Sequence, residues 1–252
     1  MRERGANGID WDGVKISVVV PAFNEERLLP ESLKSIRAAM AAFGARGWLS
    51  ELIVCDNNST DRTAEIARAA GARVVFEPFN QIARARNTGA AHADGDWLVF
   101  VDADSRPSIE LFADAADEIE GGRCLAGGST VVFDSTRPII ALAVWNALSR
   151  ISKWAAGSFM FLEAAAFREV GGFNQQLFAA EEIDLFRRLK RLARHKGRTI
   201  VILRRHPLVT SDRRIRLYKW SEHLALMVKI VFSAGRTLRS RTACFPWYDG
   251  RR

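Results

Sequence analysis

Cysteine is scarce in this sequence: among 252 residues only Cys55, Cys124 and Cys244 occur, far apart and outside any CxxC or Cys/His cluster. That spacing excludes a disulfide framework and a cysteine-built zinc site, and it suits a reducing compartment. No stretch reaches the roughly 18 consecutive apolar residues that a spanning helix needs, so the chain is not expected to cross a membrane by itself. Residues 1–13 are charged and poor in apolar side chains. They lack the hydrophobic stretch of a secretory signal, which makes a cytosolic location the expectation. Internal repeats, linkers and low-complexity segments are also missing, so one α/β domain, or two closely fused halves, is expected.

What is present is an ordinary globular composition, 48% hydrophobic and 26% charged, which excludes global disorder. The formal charge of +8 is concentrated after residue 186, in Arg187-Arg188, Lys190-Arg191, Arg204-Arg205, Arg213-Arg214 and Arg251-Arg252. A basic surface can attract nucleic acid, anionic lipid or a phosphorylated substrate, and net charge alone does not choose among them. Aromatic residues are not interleaved with these cations as stacking platforms for bases would require, so no nucleic-acid partner is expected. Residues 224–234 are apolar, interrupted by Lys229 and flanked by Arg213-Arg214, Arg236 and Arg239. This segment reads either as a helix lying on an anionic membrane surface, at the inner face, or as a core helix.

Along the chain, residues 15–20 form a β-branched run that Pro21 is expected to end, and apolar residues then recur at helical spacing from Leu28 to Met40 before Gly44. The pattern returns as a strand over 51–55, a helix to about Ala70 and a strand over 72–76. A helix over 82–93 and a strand over 97–101 follow. Such alternation implies right-handed crossovers and a largely parallel sheet with ligands at the carboxyl ends of its strands. Three polar loops, 21–26, 56–61 and 102–106, converge there. After Gly121-Gly122 a less regular half begins: a strand over 124–133, an apolar helix over 139–154, a segment over 157–161, a helix over 163–170 and the turn Gly171-Gly172. An acidic-headed helix over 181–193 and strands over 199–210 complete it. The expected division is a single domain with a first half (15–122), whose sheet edge would bind ligand, a second half (123–212), and a C-terminal helix and tail (213–252).

Asp102 and Asp104 flank the small Ala103 directly after a buried strand, which lets two carboxylates face the open sheet edge. Hard oxygen ligands suit magnesium or manganese, and such an ion can hold a diphosphate. Asp-x-Asp also arises from acidic turns and helix caps, and Ser105-Arg106-Pro107 reads as a helix start. Asp56 and Asn58, in Asp56-Asn57-Asn58-Ser59-Thr60-Asp61, offer acceptors to a base or ribose, or else build an Asx-turn. Asp56 is expected to bind ligand and Asp61 to cap the following helix. Arg84, Arg86 and Asn87 sit at a helix start, where cations oppose the helix dipole and so suggest an anionic partner. Glu181, Glu182 and Asp184 open another helix, where that dipole favours acids, yet a carboxylate there can also serve as a general base.

At these residues the chain resembles the family 2 glycosyltransferases, whose members share a GT-A fold: a Rossmann-like, largely parallel central sheet flanked by helices. The resemblance runs from about Ile16 to Arg214. It rests on Val19-Val20-Pro21-Ala22-Phe23-Asn24-Glu25-Glu26, Cys55 to Asp61, Ala85-Arg86-Asn87-Thr88-Gly89, Gly95-Asp96, Phe100-Val101-Asp102-Ala103-Asp104, Gly157-Ser158-Phe159-Met160, Gly171-Gly172-Phe173 and Glu181-Glu182-Ile183-Asp184-Leu185. The resemblance implies a hexosyltransferase-type enzyme that takes sugar from a UDP- or GDP-linked donor and inverts the anomeric centre in a single displacement. Pro21, Ala22, Phe23, Asn24, Glu25 and Asp56 would cradle base and ribose, with the Phe23 ring on the base. Arg86 would lie near the diphosphate, Asp102 and Ala103 near ribose and metal, and Asp104 on the metal directly. His206 would be a further metal ligand or a structural histidine.

The base falls on Glu181 or Glu182, with Glu182 favoured, because the family's usual Glu-Asp here reads Glu-Glu. Trp145 or Trp154 is expected to touch the acceptor, which would be lipid-linked if residues 224–241 contact membrane. The aromatic tail Phe245-Pro246-Trp247-Tyr248-Asp249 is expected to fold back or meet a partner. Two rival readings remain: a noncatalytic nucleotide-binding protein on this fold, and a sugar nucleotidyltransferase. The intact carboxylates oppose the first. The second typically starts with a Gly-rich, Arg/Lys-containing phosphate loop, which Pro21-Ala22-Phe23-Asn24-Glu25-Glu26 lacks.

Overall fold

The computed structural model describes residues 13–134, 146–147, 149, 151, 153, 155–213, 236–244 and 248. Its first half alternates strand and helix: β1 (Lys15–Ala22), α1 (Leu29–Gly44), β2 (Leu49–Asp56), α2 (Thr63–Ala69), β3 (Arg73–Phe76), α3 (Ile82–Ala91) and β4 (Trp97–Val101). There follow β5 (Ser105–Arg106), α4 (Ile109–Glu120), β6 (Cys124–Phe133), β7 (Phe159–Glu163), α5 (Ala164–Glu169), α6 (Glu181–His195), β8 (Thr199–Thr210) and a short 3-10 helix, Arg236–Arg239.

The strands form one sheet in the order β3-β2-β1-β4-β7-β6-β8-β5. β3, β2, β1 and β4 run parallel, as do β6 and β8, whereas β7 is antiparallel to both of its neighbours and β5 is antiparallel to β8. The central strands are buried on both faces, which is why they read as continuous apolar runs rather than alternating ones. Successive side chains nonetheless go to opposite layers. Val18, Val20, Val99 and Val101 pack with Ile36 and Phe43 of α1 and Phe112 of α4. Val19, Leu98 and Phe100 pack with Ala83 of α3, Phe167 of α5 and Leu185 and Phe186 of α6. The fold is therefore an α/β three-layer arrangement, as expected.

Several local expectations change. Pro21 does not end β1: pairing with β2 continues to Ala22, while pairing with β4 stops at Val19. One side of the strand is thus without a ladder at Pro21, where a missing N–H costs little. Ser105-Arg106 is not a helix start but a strand paired with Val209 and Thr210, and α4 begins after Ser108, whose hydroxyl accepts the Leu111 N–H at 3.2 Å. Residues 199–210 form one strand. The expected helix over 139–154 lies largely outside the described residues, and the apolar segment 224–234, Trp145 and Trp154 lie wholly outside them.

The pairing Ala22↔Asp56 brings β1 and β2 to the same level, so loops 23–28 and 57–62 emerge side by side, with the segment after β4 next to them. This edge carries the polar residues singled out above.

Candidate active site

The first two loops are zipped together by side chains. Asn24 and Asn58 take left-handed backbone angles, φ 52° and 66°, which asparagine tolerates better than most residues. Asn24 N–H donates to Ser59 Oγ at 3.0 Å, its Oδ1 accepts the Thr60 N–H at 2.8 Å, and Glu25 N–H donates to Thr63 Oγ1 at 2.8 Å. Asp61 accepts the N–H of Thr63, the first residue of α2, at 2.9 Å, and with its other oxygen the Glu26 N–H at 3.1 Å. The expected cap is thus also a latch between loops. Asp56 is buried, and its Oδ1 accepts the Ser59 N–H at 3.0 Å, so the Asx-turn is real. Asn57 Nδ2 donates to the carbonyls of Glu77 and Phe79 at 3.2 and 2.7 Å, and its Oδ1 accepts the Gln81 N–H at 2.8 Å. Asn57 therefore shapes the loop leading into α3.

A cleft opens between these loops and the end of β4. Pro21, Ala22, Phe23 and Glu25 line it from the first loop, and Asp102, Ala103 and Asp104 from the third. Asn57, Asn80, Ile82, Ala85 and Tyr248 complete it. Asp102 and Asp104 are half-buried with Ala103 buried between them, so the two carboxylates share the open side of the strand end. The segment is fixed on both flanks: Asp102 N–H donates to Ser158 O at 3.1 Å and Ser211 N–H to Asp104 O at 3.2 Å. Asn24, Asp56, Asn58, Arg86, Glu181, Glu182 and His206 are not in the cleft lining.

Arg86 lies beneath it. Its guanidinium is fully buried, with Nη1 2.7 Å from Glu181 Oε1 and Nη2 2.9 Å from Asp102 Oδ1 and 2.8 Å from the Gly157 carbonyl. The Phe173 ring lies against its other face, 5.3 Å from ring centre to guanidinium carbon. The anionic partners suggested by the cations opening α3 are thus the protein's own carboxylates. Arg84 likewise meets Glu77 at 3.1 Å. Through Arg86, the end of β4 and the head of α6 are tied into one unit across the sheet.

At the head of α6, Ala180 adopts φ 59°, a left-handed conformation that costs a non-glycine residue about 1–2 kcal/mol. The strained residue turns the chain so that Glu181 points down to Arg86. A side chain at Gly157 would stand 3.0 Å from Arg86 Nη2 and 3.6 Å from the Glu182 carboxyl carbon, so Gly157 lets Glu182 come close to this buried cluster. Burial, with Glu181 beside it, pushes Glu182 up to about 8. The two glutamates therefore differ: Glu181 is committed to an ion pair, whereas Glu182 holds a proton near neutral pH.

Glu25, read as a cradle for base or ribose, is clamped by Arg213, whose Nη2 lies 2.7 and 2.9 Å from its two oxygens. His206 Nδ1 lies 3.0 Å from Asp114 Oδ2 on α4, away from the cleft lining, so the structural reading of that histidine is the one its contacts fit. Asn80, Ile82, Ala85 and Tyr248 were not expected in the lining. The aromatic tail was the only signal for Tyr248, and its folding back is realised at that residue. Phe245, Pro246, Trp247 and Asp249 lie outside the described residues. The three thiols are buried, and burial pushes Cys55 and Cys124 up to about 12, which leaves them inert.

Among the described residues, no group of three or more His, Cys, Asp and Glu side chains forms a self-contained metal site, and no helix is long and apolar enough to cross a membrane. Two carboxylates facing an open cleft do fit a cation that draws its remaining ligands from a diphosphate and water, the usual arrangement for magnesium at phosphate sites.

Comparison with known proteins agrees with this geometry. The family model described as Glycosyl transferase family 2 matches residues 17–173. A 4,4'-diaponeurosporenoate glycosyltransferase of Staphylococcus haemolyticus is 40% identical over 96 residues, covering 35% of this chain and 24% of that protein. An uncharacterized glycosyltransferase of Mycobacterium bovis is 33% identical over 139 residues, 55% of this chain and 56% of the relative. The chain thus spans about a quarter to about half the length of these curated relatives. Among solved structures, S. aureus TarS 1–349 superposes with a TM-score of 0.62 at 21% identity, covering 92% of this chain and 74% of TarS 1–349. The glucosyl-3-phosphoglycerate synthase of Mycobacterium tuberculosis, solved with Mn2+, UDP and phosphoglyceric acid, superposes at 0.62 and 20% identity, covering 92% and 79%. At these identities the structural likeness concerns the fold.

Proposed function

Since this chain belongs to glycosyl transferase family 2, we propose that it moves a hexose from a UDP-linked donor to an acceptor hydroxyl by inverting single displacement, with Glu182 as general base. Nucleotide-sugar glycosyl transfer follows from the family. The uridine donor is supported by the UDP in the synthase structure and the UDP-GlcNAc in another TarS structure. The observation that carries the reading is the Arg86 unit. It joins the Asp102-Ala103-Asp104 edge of the donor cleft to the head of α6, so donor site and base are held in one rigid arrangement.

Asp104 and Asp102 would hold Mn2+ or Mg2+ together with the donor diphosphate; the ion, when bound, supplies charge neutralisation to the leaving nucleotide. Phe23 and Pro21 offer the apolar wall for the base. Arg86, fully buried with both Nη atoms engaged by Glu181, Asp102 and the Gly157 carbonyl, is a positioning residue for Asp102 and Glu181, not a phosphate ligand. Glu182, with a pKa raised toward working pH, is suited to take the proton of an acceptor hydroxyl as the sugar is transferred. A lipid-linked acceptor at the inner membrane face is supported by the basic, apolar pattern of residues 224–241.

The test is transfer, or slow donor hydrolysis, from a panel of UDP-sugars with manganese. Glu182→Gln is expected to lose activity by about 10²–10⁴-fold while still binding UDP. Full activity in Glu182→Gln together with loss in Glu181→Gln would move the base to Glu181.

A further inference from the structure

Tyr248 stands 166 positions away from Ile82 in sequence yet shares the cleft wall with it. The Ile82 N–H, at the first residue of α3, donates to the Tyr248 hydroxyl at 3.4 Å. The ring of Tyr248 makes a T-shaped contact with Phe178 at 5.6 Å, and the Arg241 guanidinium carbon lies 5.8 Å from its centre. Arg241 Nη2 in turn reaches Asn80 Oδ1, in the same wall, at 3.5 Å. The Phe178 N–H donates to the Leu238 carbonyl at 2.7 Å, and Cys244 is buried with its N–H on the Ser240 carbonyl at 3.0 Å. Residues 236–244 and Tyr248 are thus fastened at two places. One is the nucleotide side of the cleft, at Asn80 and Ile82. The other is Phe178, three residues ahead of the acidic head of α6.

Resting on the donor-site reading above, we infer that Tyr248, with residues 236–244, forms a strap at the donor cleft in which Tyr248 is a nucleoside-diphosphate-binding residue of the wall. The ring lines the cleft beside Asn80, Ile82 and Ala85. Its hydroxyl holds the first amide of α3, one of the donors that a helix start leaves without an intrahelical partner, and so fixes the ring's orientation. An aromatic face held in this way offers a bound nucleoside a stacking surface at little entropic cost, since Phe178 and Arg241 already restrict its rotation. Because the strap also touches Phe178, donor binding and the position of the base-bearing helix share a contact.

The experiment is calorimetric titration of UDP, with manganese, into the full chain and its Tyr248→Ala, Tyr248→Phe and Arg241→Ala variants. Losing the ring in Tyr248→Ala is expected to weaken UDP by about 10-fold or more, the scale of one lost stacking contact. Tyr248→Phe keeps the ring and should recover most of that affinity, a rescue that mere loss of folding would not produce. Arg241→Ala does not touch the cleft and should weaken UDP by about 2–5-fold through a looser ring. It carries the test if Tyr248→Ala fails to fold. Unchanged affinity in Tyr248→Ala and Arg241→Ala would overturn the strap while leaving the donor site standing. Tighter binding in Tyr248→Ala would show instead a plug that competes with donor. A wild-type chain that binds neither UDP nor GDP would remove both readings.

Discussion

Replacing Arg86 by methionine isolates the feature on which the site depends. The guanidinium makes three charge-assisted bonds, at 2.7 Å to Glu181, 2.9 Å to Asp102 and 2.8 Å to the Gly157 carbonyl. Methionine keeps most of the apolar volume against Phe173, so little cavity cost is added. The two carboxylates then fare differently. The Asp102 side chain retains 22% of its exposure and can regain water, whereas that of Glu181 retains 4% and cannot. Breaking a buried pair by removing one partner costs about 3–5 kcal/mol, and nearly all of it should come from Glu181.

In a chain of this size, 1 kcal/mol corresponds to a Tm shift of about 2–4 °C, so Arg86→Met should melt about 6–20 °C below wild type. The double variant Arg86→Met/Glu181→Met removes both buried charges and should recover most of that loss, because a buried ion pair and an apolar replacement of similar volume are often close in stability. Urea denaturation of the four proteins in the cycle measures this directly. A single variant that loses less than about 1 kcal/mol, or a double variant less stable than either single, would refute the reasoning that Arg86 is the buried tie between β4 and α6.

Two further outcomes are expected. With Glu182 raised to about 8, catalysis needs its deprotonated form, so kcat/KM should climb with pH along an acid limb near that value. Glu181 is the charged neighbour that raises it, so Glu181→Gln should move the limb to lower pH, and an unmoved limb would separate the two groups. The basic and apolar residues 224–241 should bind liposomes of anionic lipid at low salt and release them at high salt. No binding at low salt would withdraw the lipid-linked acceptor.

Much of the fold was legible because its strands are short, doubly buried and separated by amphipathic helices. The bounds of β4 follow from an apolar run that Asp96 and Asp102 close sharply. The motif residues of the three loops were likewise readable, since they sit where strand ends must converge. Pairings that depend on topology were not. Nothing in residues 159–163 says that β7 inserts antiparallel between β4 and β6, and nothing near Ser105 announces its partner Thr210. The same limit hid the roles of charged residues. Arg86 reads locally as a cation waiting for an anion, and only the fold brings Glu181, 95 positions away, to it. Glu25 meets Arg213 across 188 positions, and Tyr248 reaches the cleft from the far end of the chain. Asp61, whose cap partner Thr63 is two positions away, was read closer to its actual contacts.

The central claim, a donor site built on Asp102 and Asp104, is tested most directly by calorimetric titration of UDP and GDP with and without manganese, in wild type and Asp104→Ala. Manganese-dependent binding of UDP by wild type, lost in Asp104→Ala while the fold is retained, is the predicted result. Metal-independent binding that survives Asp104→Ala, or no binding of either nucleotide by folded wild-type protein, would contradict it.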